Sequence, residues 1–338
     1  GCRRGRPGDG FHRHAPFPPL NPPLLSPRRN SIVNSVTAGV IGLGSMGMGA
    51  AKSLLAAGIE THGLDRDVDA LAAFGAAGGE TGTSPLSMAA GVDVLVIFVV
   101  NADQVDSVLF GEDGAAAGLK PGAVVVQCAT IPAAKARDIA ARLAERDVMM
   151  IDGPVSGGAA KAAAGAMTVM ASGPDAAFSK AAPVLDAIAE QVHRLGAEAG
   201  VGSTVKTINQ LLAGVHIAAA AEAMALGIRA GADPDQLFAV LSGAAGASWM
   251  FNNRVPHILA GDYTPLSAVD IFIKDLGIVL DTGKALTFPL PLSAAAHQQF
   301  LAAGAAGLGR EDDSAVIKVF QKLAGIDLPA GDPSLPET

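Results

Sequence analysis

Apolar positions along this chain follow two rhythms, and the change between them falls near residue 197. From Ala38 onward, short apolar runs alternate with stretches whose apolar residues recur every three or four positions. Ala38–Leu43, Val92–Val100, Ala123–Gln127 and Val148–Ile151 have the length of strands, with Glu60–Leu64 as a further strand ending at Asp65. Val92–Val100 is β-branched almost throughout, the pattern of a strand covered on both faces. Gly47–Ala57, Val68–Ala77 and Pro132–Arg146 predict helices, and Ser84-Pro85 reads as a cap followed by Pro at the first helical position. Met167–Ala171 and Gln191–Leu195 predict two more strands around a helix over Asp175–Glu190. Such alternation predicts βαβ units and a mainly parallel, doubly wound sheet.

After about Ala197 the strand signals stop. Thr204–Arg229 reads as one long helix ending before Gly231, and Pro234–Leu241, Ala268–Ala285, Leu292–Ala303 and Ala315–Leu323 predict further helices. The expected organisation is an α/β domain over 36–197 followed by an all-helical domain over 198–326, with a tail over 327–338. Residues 1–35 differ from the rest. Gly1–Asn30 carries seven prolines and six arginines against one acid, a composition that predicts a disordered extension.

Composition narrows the function classes. A length of 338 residues suits two domains, and a half-hydrophobic chain can bury a sizeable core. A net charge of −8 and only 14 aromatic residues argue against a nucleic-acid partner. Two cysteines, Cys2 and Cys128, make no disulfide framework, so a reducing cytoplasm is the default. Leu211–Ile228 is long enough to span a bilayer, but His216 and Glu222 interrupt it, and its alanines suit a helix buried in protein. No membrane partner is expected. His216, His257 and His297 lie far apart without ligand spacing, and no metal is expected. Trp249-Met250-Phe251 reads as helical core or subunit contact, and Asp312-Asp313 as an exposed charged turn or a cap.

Three constellations carry candidate chemistry. Gly42-Leu43-Gly44-Ser45-Met46-Gly47 is G-x-G-x-x-G between a strand and a helix. Gly42 permits the turn, Gly44 lets a pyrophosphate approach the backbone, Gly47 lets helix pack on strand, and the helix N-terminus faces the phosphates. Asp65, about 20 residues on, is placed to accept from both ribose hydroxyls of NAD and to repel the 2′-phosphate of NADP. Arg66 beside it is the opposing signal, and contact repulsion weights the choice toward Asp65. Asp65-Arg66-Asp67 can equally serve as a solvated helix cap.

The second constellation is Asp152-Gly-Pro-Val-Ser156-Gly157-Gly158 with Gly165. Its Ser-Gly-Gly turn offers backbone N–H groups and a hydroxyl to a carboxylate, or is simply a flexible loop. In the third, Lys206 lies about one turn into the long helix, with Asn209 and Gln210 at i+3 and i+4. Among Val205, Ile208, Leu211 and Leu212 a lysine is poorly solvated, which lowers its pKa toward that of an acid/base. The alternative is a surface lysine whose stem lies along apolar neighbours. Cys128 reads as a small buried hydrophobe.

Gly42–Gly47, Ser156-Gly157-Gly158 with Gly165, Lys206 with Asn209, and Lys274-Asp275 occur in the order and spacing of the β-hydroxyacid dehydrogenase family. The resemblance spans roughly Ala38–Gly325. It implies a Rossmann domain, a helical domain and an active site in the cleft between them. It further implies NAD as cofactor, with Lys206 as acid/base and a small hydroxy acid held by Ser156, Gly157, Gly158 and Asn209. Lys274 then lines both cofactor and substrate cleft, Thr130 lies beside the nicotinamide ribose, and Gln210 joins the substrate group. Leu43, Ser45, Met46 and Asn101 join the cofactor group. Longer stretches, from Gly42, Val99, Lys161, Gly202 and Asp262, resemble one bacterial branch that acts on a polyhydroxylated acid. Other substrates of the family, and a non-catalytic cofactor-binding module, are the alternatives.

Two positions depart from the family pattern. Gln210 stands where the family often has Asn, and Cys128-Ala129-Thr130 where it usually has Ser-Ser-Thr. The apolar, alanine-rich helical half points to a homo-oligomer.

Overall fold

The computed structural model describes residues 36–329. The extension expected over 1–35 and most of the expected tail lie outside the described residues. Strand β1 (Ala38–Ile41) leads through the glycine turn into α1 (Ser45–Ala56), and β2 (Thr61–Leu64) into α2 (Val68–Ala76). A two-residue strand, β3 (Glu80–Thr81), and the short α3 (Pro85–Ala89) precede β4 (Val94–Ile97) and α4 (Ala102–Phe110). With β5 (Val124–Gln127), α5 (Ala133–Ala144) and β6 (Met149–Asp152) the chain completes a parallel sheet ordered β3-β2-β1-β4-β5-β6. Every residue of β1, β4 and β5 is buried, which is why these strands read as continuous apolar runs.

The strand order reverses between β1 and β4. At such a reversal the loops leave in opposite directions and open a crevice at the carboxyl ends of the strands. Gly42 (φ +94°) turns the chain there, and a Cβ on it would lie 2.8 Å from the Phe98 carbonyl at the end of β4.

The expected single sheet is corrected to two. After β6, Gly153-Pro154 carries the chain out of the parallel ladder, since Pro has no N–H to donate. Then β7 (Val155–Ser156), α6 (Gly158–Ala163), β8 (Met167–Ala171), α7 (Asp175–Ile188) and β9 (Ala189–Arg194) follow. The second sheet is ordered β7-β8-β9, antiparallel at β7/β8 and parallel at β8/β9. An antiparallel bridge between Asp152 and Ser172 stitches the two sheets together.

The remainder is helical: α8 (Val201–Arg229), α9 (Pro234–Leu241), α10 (Trp249–Ala260), α11 (Val269–Ala285), α12 (Pro291–Ala305) and α13 (Ile317–Ala324). At 29 residues, α8 is about 43 Å long. Ile217, Ala221 and Met224 on it are buried in the helical core, where α10, α11, α12 and α13 pack against it. Phe251 stacks on Phe238 and Phe272 on Phe300, whereas Trp249 is exposed.

The Asp312-Asp313 pair is not an exposed turn; both residues are fully buried. Asp312 caps a 3-10 turn and accepts from the amides of Leu266 (2.9 Å) and Ser314 (3.0 Å), so the cap reading holds. Asp313 takes a two-pronged ion pair from Arg254, at 2.6 Å from Nε and 3.0 Å from Nη2. A carboxylate leaves water only where such donors replace it.

Candidate active site

The glycine turn has the shape that a dinucleotide needs. A Cβ on Gly47 would overlap the Gly42 carbonyl oxygen at 1.8 Å, so close packing of helix on strand requires glycine. A Cβ on Gly44 would meet nothing within 4 Å, so that stretch of backbone is open to a ligand. Ser45 and Met46 begin α1 beside it. Asp65, half-buried at the end of β2, accepts the Leu43 amide at 2.5 Å and the Asp67 amide at 2.9 Å. Its carboxylate therefore fixes the turn. Capping of α2 falls to Asp67, which accepts from the amides of Asp69 and Ala70. Arg66 is exposed.

The Ser-Gly-Gly turn lies between β7 and α6. Gly157 (φ +133°) and Gly158 (φ +69°) both need conformations that favour glycine. Upstream, the Asp152 carboxylate is wholly buried and accepts from Gly200 N (2.8 Å), Ser203 N (2.8 Å) and Ser203 Oγ (2.6 Å). These donors include amides of the first turn of α8, which have no partner within the helix. Ser172 Oγ takes the Gly202 amide at 3.0 Å. Burial pushes the Asp152 pKa up, against the pull of its donors. This clasp ties the sheet end that leads to Ser156 to the helix that carries Lys206. Sequence reading assigned Asp152 and Ser203 no role. The only signal was an acid at a strand end directly before Gly-Pro.

Lys206 is 7% exposed. The expected cause is corrected, because Val205, Ile208 and Leu212 face outward, 38–53% exposed. Burial of Lys206 comes instead from the opposite side of α8, which packs against α11 and the ends of β6 and β8. Desolvation lowers its pKa to about 8; Asp275 opposes the shift and Lys274 adds to it. Around it runs a polar chain. Lys274 donates to the Thr130 carbonyl (3.2 Å) and pairs with Asp275. Asp275 accepts from Gln210 Nε2 (2.6 Å), and Gln210 Oε1 accepts from Asn209 Nδ2 (2.9 Å).

A cleft of about 410 Å³ opens between the start of α4, the loop after β5 and α11, lined by Asn101, Thr130 and Lys274 among others. Asn101 also caps α4 by accepting the Gln104 amide at 2.9 Å. The structure thus gathers Lys206, Asn209, Gln210, Lys274 and Thr130. Ser156, Gly157 and Gly158 form no hydrogen bond with that group among the described residues; the Asp152 clasp connects the two. Cys128 is buried, which pushes its thiol pKa far up. His257 and His297 each pair with a backbone carbonyl. Glu60, His62 and Glu80 cluster at the starts of β2 and β3, away from the crevice. There one carboxylate faces each ring nitrogen of His62, an arrangement that brackets the imidazole.

Residues 37–196 match the NAD binding domain of 6-phosphogluconate dehydrogenase. Residues 200–320 match the domain described as NAD-binding of NADP-dependent 3-hydroxyisobutyrate dehydrogenase. Two such domains, with a buried lysine on the helix that joins them, define a nicotinamide-dependent hydroxyacid dehydrogenase. An L-threonate dehydrogenase of Cupriavidus necator is 60% identical over 291 residues, 86% of this chain and 97% of that protein. One from Escherichia coli K12 is 57% identical, over 86% and 96%. A crystal structure from Salmonella typhimurium, described as 3-hydroxyisobutyrate dehydrogenase, is 57% identical with a TM-score of 0.80, over 84% and 99%. The chain belongs to the 3-hydroxyisobutyrate dehydrogenase family.

Proposed function

We propose that this protein is an NAD-dependent L-threonate dehydrogenase that oxidises the C2 hydroxyl to give 2-dehydro-L-erythronate. Lys206 carries the assignment of the reaction: a buried amine whose pKa is lowered to about 8, one turn into α8, beside polar side chains that can hold a hydroxy acid. The choice of L-threonate over 3-hydroxyisobutyrate or tartronate semialdehyde rests on relatives named for L-threonate at 54–60% identity.

In this reading Gly42, Leu43, Gly44, Ser45, Met46, Gly47, Asp65, Asn101, Thr130 and Lys274 hold the dinucleotide. Bound NAD supplies the hydride acceptor. Ser156 and the N–H groups of Gly157 and Gly158 take the substrate carboxylate. Neutral Lys206 removes the hydroxyl proton as the C2 hydride departs, and Asn209 donates to the oxygen as charge builds on it. Lys274 completes the substrate pocket, and Gln210 joins the substrate group by holding Asn209. The cofactor part covers 36–197 and the substrate part 198–326.

The test is NAD reduction with L-threonate, D-threonate, D-glycerate and 3-hydroxyisobutyrate, with identification of the oxidised carbon. L-Threonate is expected to exceed 3-hydroxyisobutyrate by about tenfold or more in kcat/KM, since a methyl leaves at least one buried polar group unpaired. A preference for 3-hydroxyisobutyrate, or oxidation at C3, overturns the substrate. NAD is expected to exceed NADP, and Asp65→Ser to narrow that gap.

The reading includes a cytoplasmic homo-oligomer. Val205, Ile208 and Leu212 lie on one face of α8, exposed and apolar, and a second copy of the chain is the proposed cover. Light scattering of the purified protein decides between this and a monomer.

A further inference from the structure

We propose that Asp275 fixes the hydrogen-bonding polarity of Asn209, acting through Gln210, and that this relay selects substrates carrying a hydroxyl beside the reacting carbon. The selection half rests on the reading above that Asn209 meets substrate. The relay itself rests on geometry alone.

Asp275 is 2% exposed, and its carboxylate, paired with the Lys274 ammonium, can only accept hydrogen bonds. Its Oδ2 lies 2.6 Å from the Gln210 side chain, contributed by a residue 65 positions away on the facing helix. Gln210 must therefore present its NH₂ group to Asp275. Its carbonyl then points the other way, toward Asn209, at 2.9 Å. An acceptor in that place obliges Asn209 to turn its own NH₂ toward Gln210.

Two amides that could each face either way are thereby set by one charge. Asn209 is left with one free N–H and its Oδ1, which has no protein partner among the described residues. That pair of groups donates to the reacting oxygen and accepts from a neighbouring hydroxyl. A substrate methyl in place of that hydroxyl leaves Oδ1 without a donor. Gln, rather than the Asn frequent at this position in the family, supplies the extra methylene between backbone and amide in the residue that spans from α8 to Asp275. Asp275 and Gln210 are positioning residues in this scheme: they act through Asn209.

Two measurements on the full chain test the proposal. With selective ¹⁵N labelling of Asn and Gln side chains, the Asn209 and Gln210 NH₂ signals are assigned from Asn209→Ala and Gln210→Leu. Asp275→Asn, which can donate as well as accept, is expected to move both signals. An unmoved Asn209 signal overturns the relay, whatever the substrate proves to be. In the kinetic arm, Gln210→Leu is expected to reduce the L-threonate to 3-hydroxyisobutyrate ratio of kcat/KM about fivefold or more, without moving the pH profile. Asp275→Asn is expected to reduce the ratio and also to move the profile to lower pH, because it removes the charge that holds the Lys206 proton. A ratio kept within about twofold in Gln210→Leu overturns the selection. If the wild type itself prefers 3-hydroxyisobutyrate, the substrate reading and the selection fall together, and the amide signals still decide the relay.

Discussion

The two faces at the start of α8 invert the usual rule for a helix. Ser203, Lys206, Thr207 and Gln210 are buried, while Val205, Ile208 and Leu212 are exposed. Further along, the same helix obeys the rule, with Ile217, Ala221 and Met224 in the core. A polar side chain loses water on burial, and an apolar one gains nothing by exposure. The first turns are therefore built against stability, and they carry the residues to which the proposed function assigns the chemistry. The inverted segment persists because the Asp152 clasp and the Asp275 chain supply hydrogen bonds in place of water.

The contrast is broken most severely at Lys206. Lys206→Met is expected to lower kcat by about 10²–10⁴-fold. The same change should raise stability, since it puts an apolar side chain where an amine is desolvated. Its sign is checked by pH. The folded-state pKa of about 8 lies below the ordinary lysine value of 10.5, so the wild-type fold gains stability as pH rises from about 8 toward 10.5. Denaturant unfolding of Lys206→Met should lack that rise.

Asp152→Ala removes the clasp and leaves buried donors of α8 and Ser203 without an acceptor. A loss of about 2–5 kcal/mol in urea unfolding is expected, together with a fall in kcat. Next in size is the pH dependence of turnover. Below pH about 8, kcat/KM for oxidation should rise by about tenfold per unit as Lys206 loses its proton, and level above that. In the reverse reduction the limb should run the other way, because the protonated amine is then the donor. The smallest effect belongs to the exposed face. Ile208→Glu with Leu212→Glu should change the stability of an isolated protomer by no more than about 0.5 kcal/mol each. Its readout is the proposed oligomer, which light scattering should show dissociated.

What could be read from the sequence follows the same division. β1, the glycine turn, α1 and Asp65 are local in sequence, and each residue type there answers to one backbone or ligand demand. Strands β1, β4 and β5 were legible because burial on both faces leaves an unbroken apolar run, whereas β3, two exposed residues long, was missed. Strands β8 and β9 were legible as strands, but their separation into a second sheet was not, because β7 is only two residues long and carries no pattern of its own. Helix α10 was missed because Pro256 reads as a breaker, although Ser248 caps its start and Gly261 its end. In the site, Lys206 was legible as a residue, but its surroundings were not. Asp152, which holds the first turn of α8, and Asp275, which takes the Gln210 amide, lie 54 and 69 positions from Lys206, and only the fold brings them near. The same limit explains Asp313, whose partner Arg254 lies 59 positions off.

Gly49 on α1 lies so close to α6 that a Cβ there would stand 2.6 Å from the Ala163 nitrogen. The two helices that follow the glycine turn and the Ser-Gly-Gly turn are thus bolted together. Were the helical half to move against them about the clasp at Gly200 as pivot, these two turns would travel as one piece. Lys206 is six residues beyond that pivot, about 9 Å along the helix axis. A ten-degree swing would move it by only about 1.5 Å at that lever arm, while the far end of α8, about 43 Å out, would travel roughly 7 Å. The Lys206 amine thus sits near such a pivot, and the far end of α8 would carry the larger displacement.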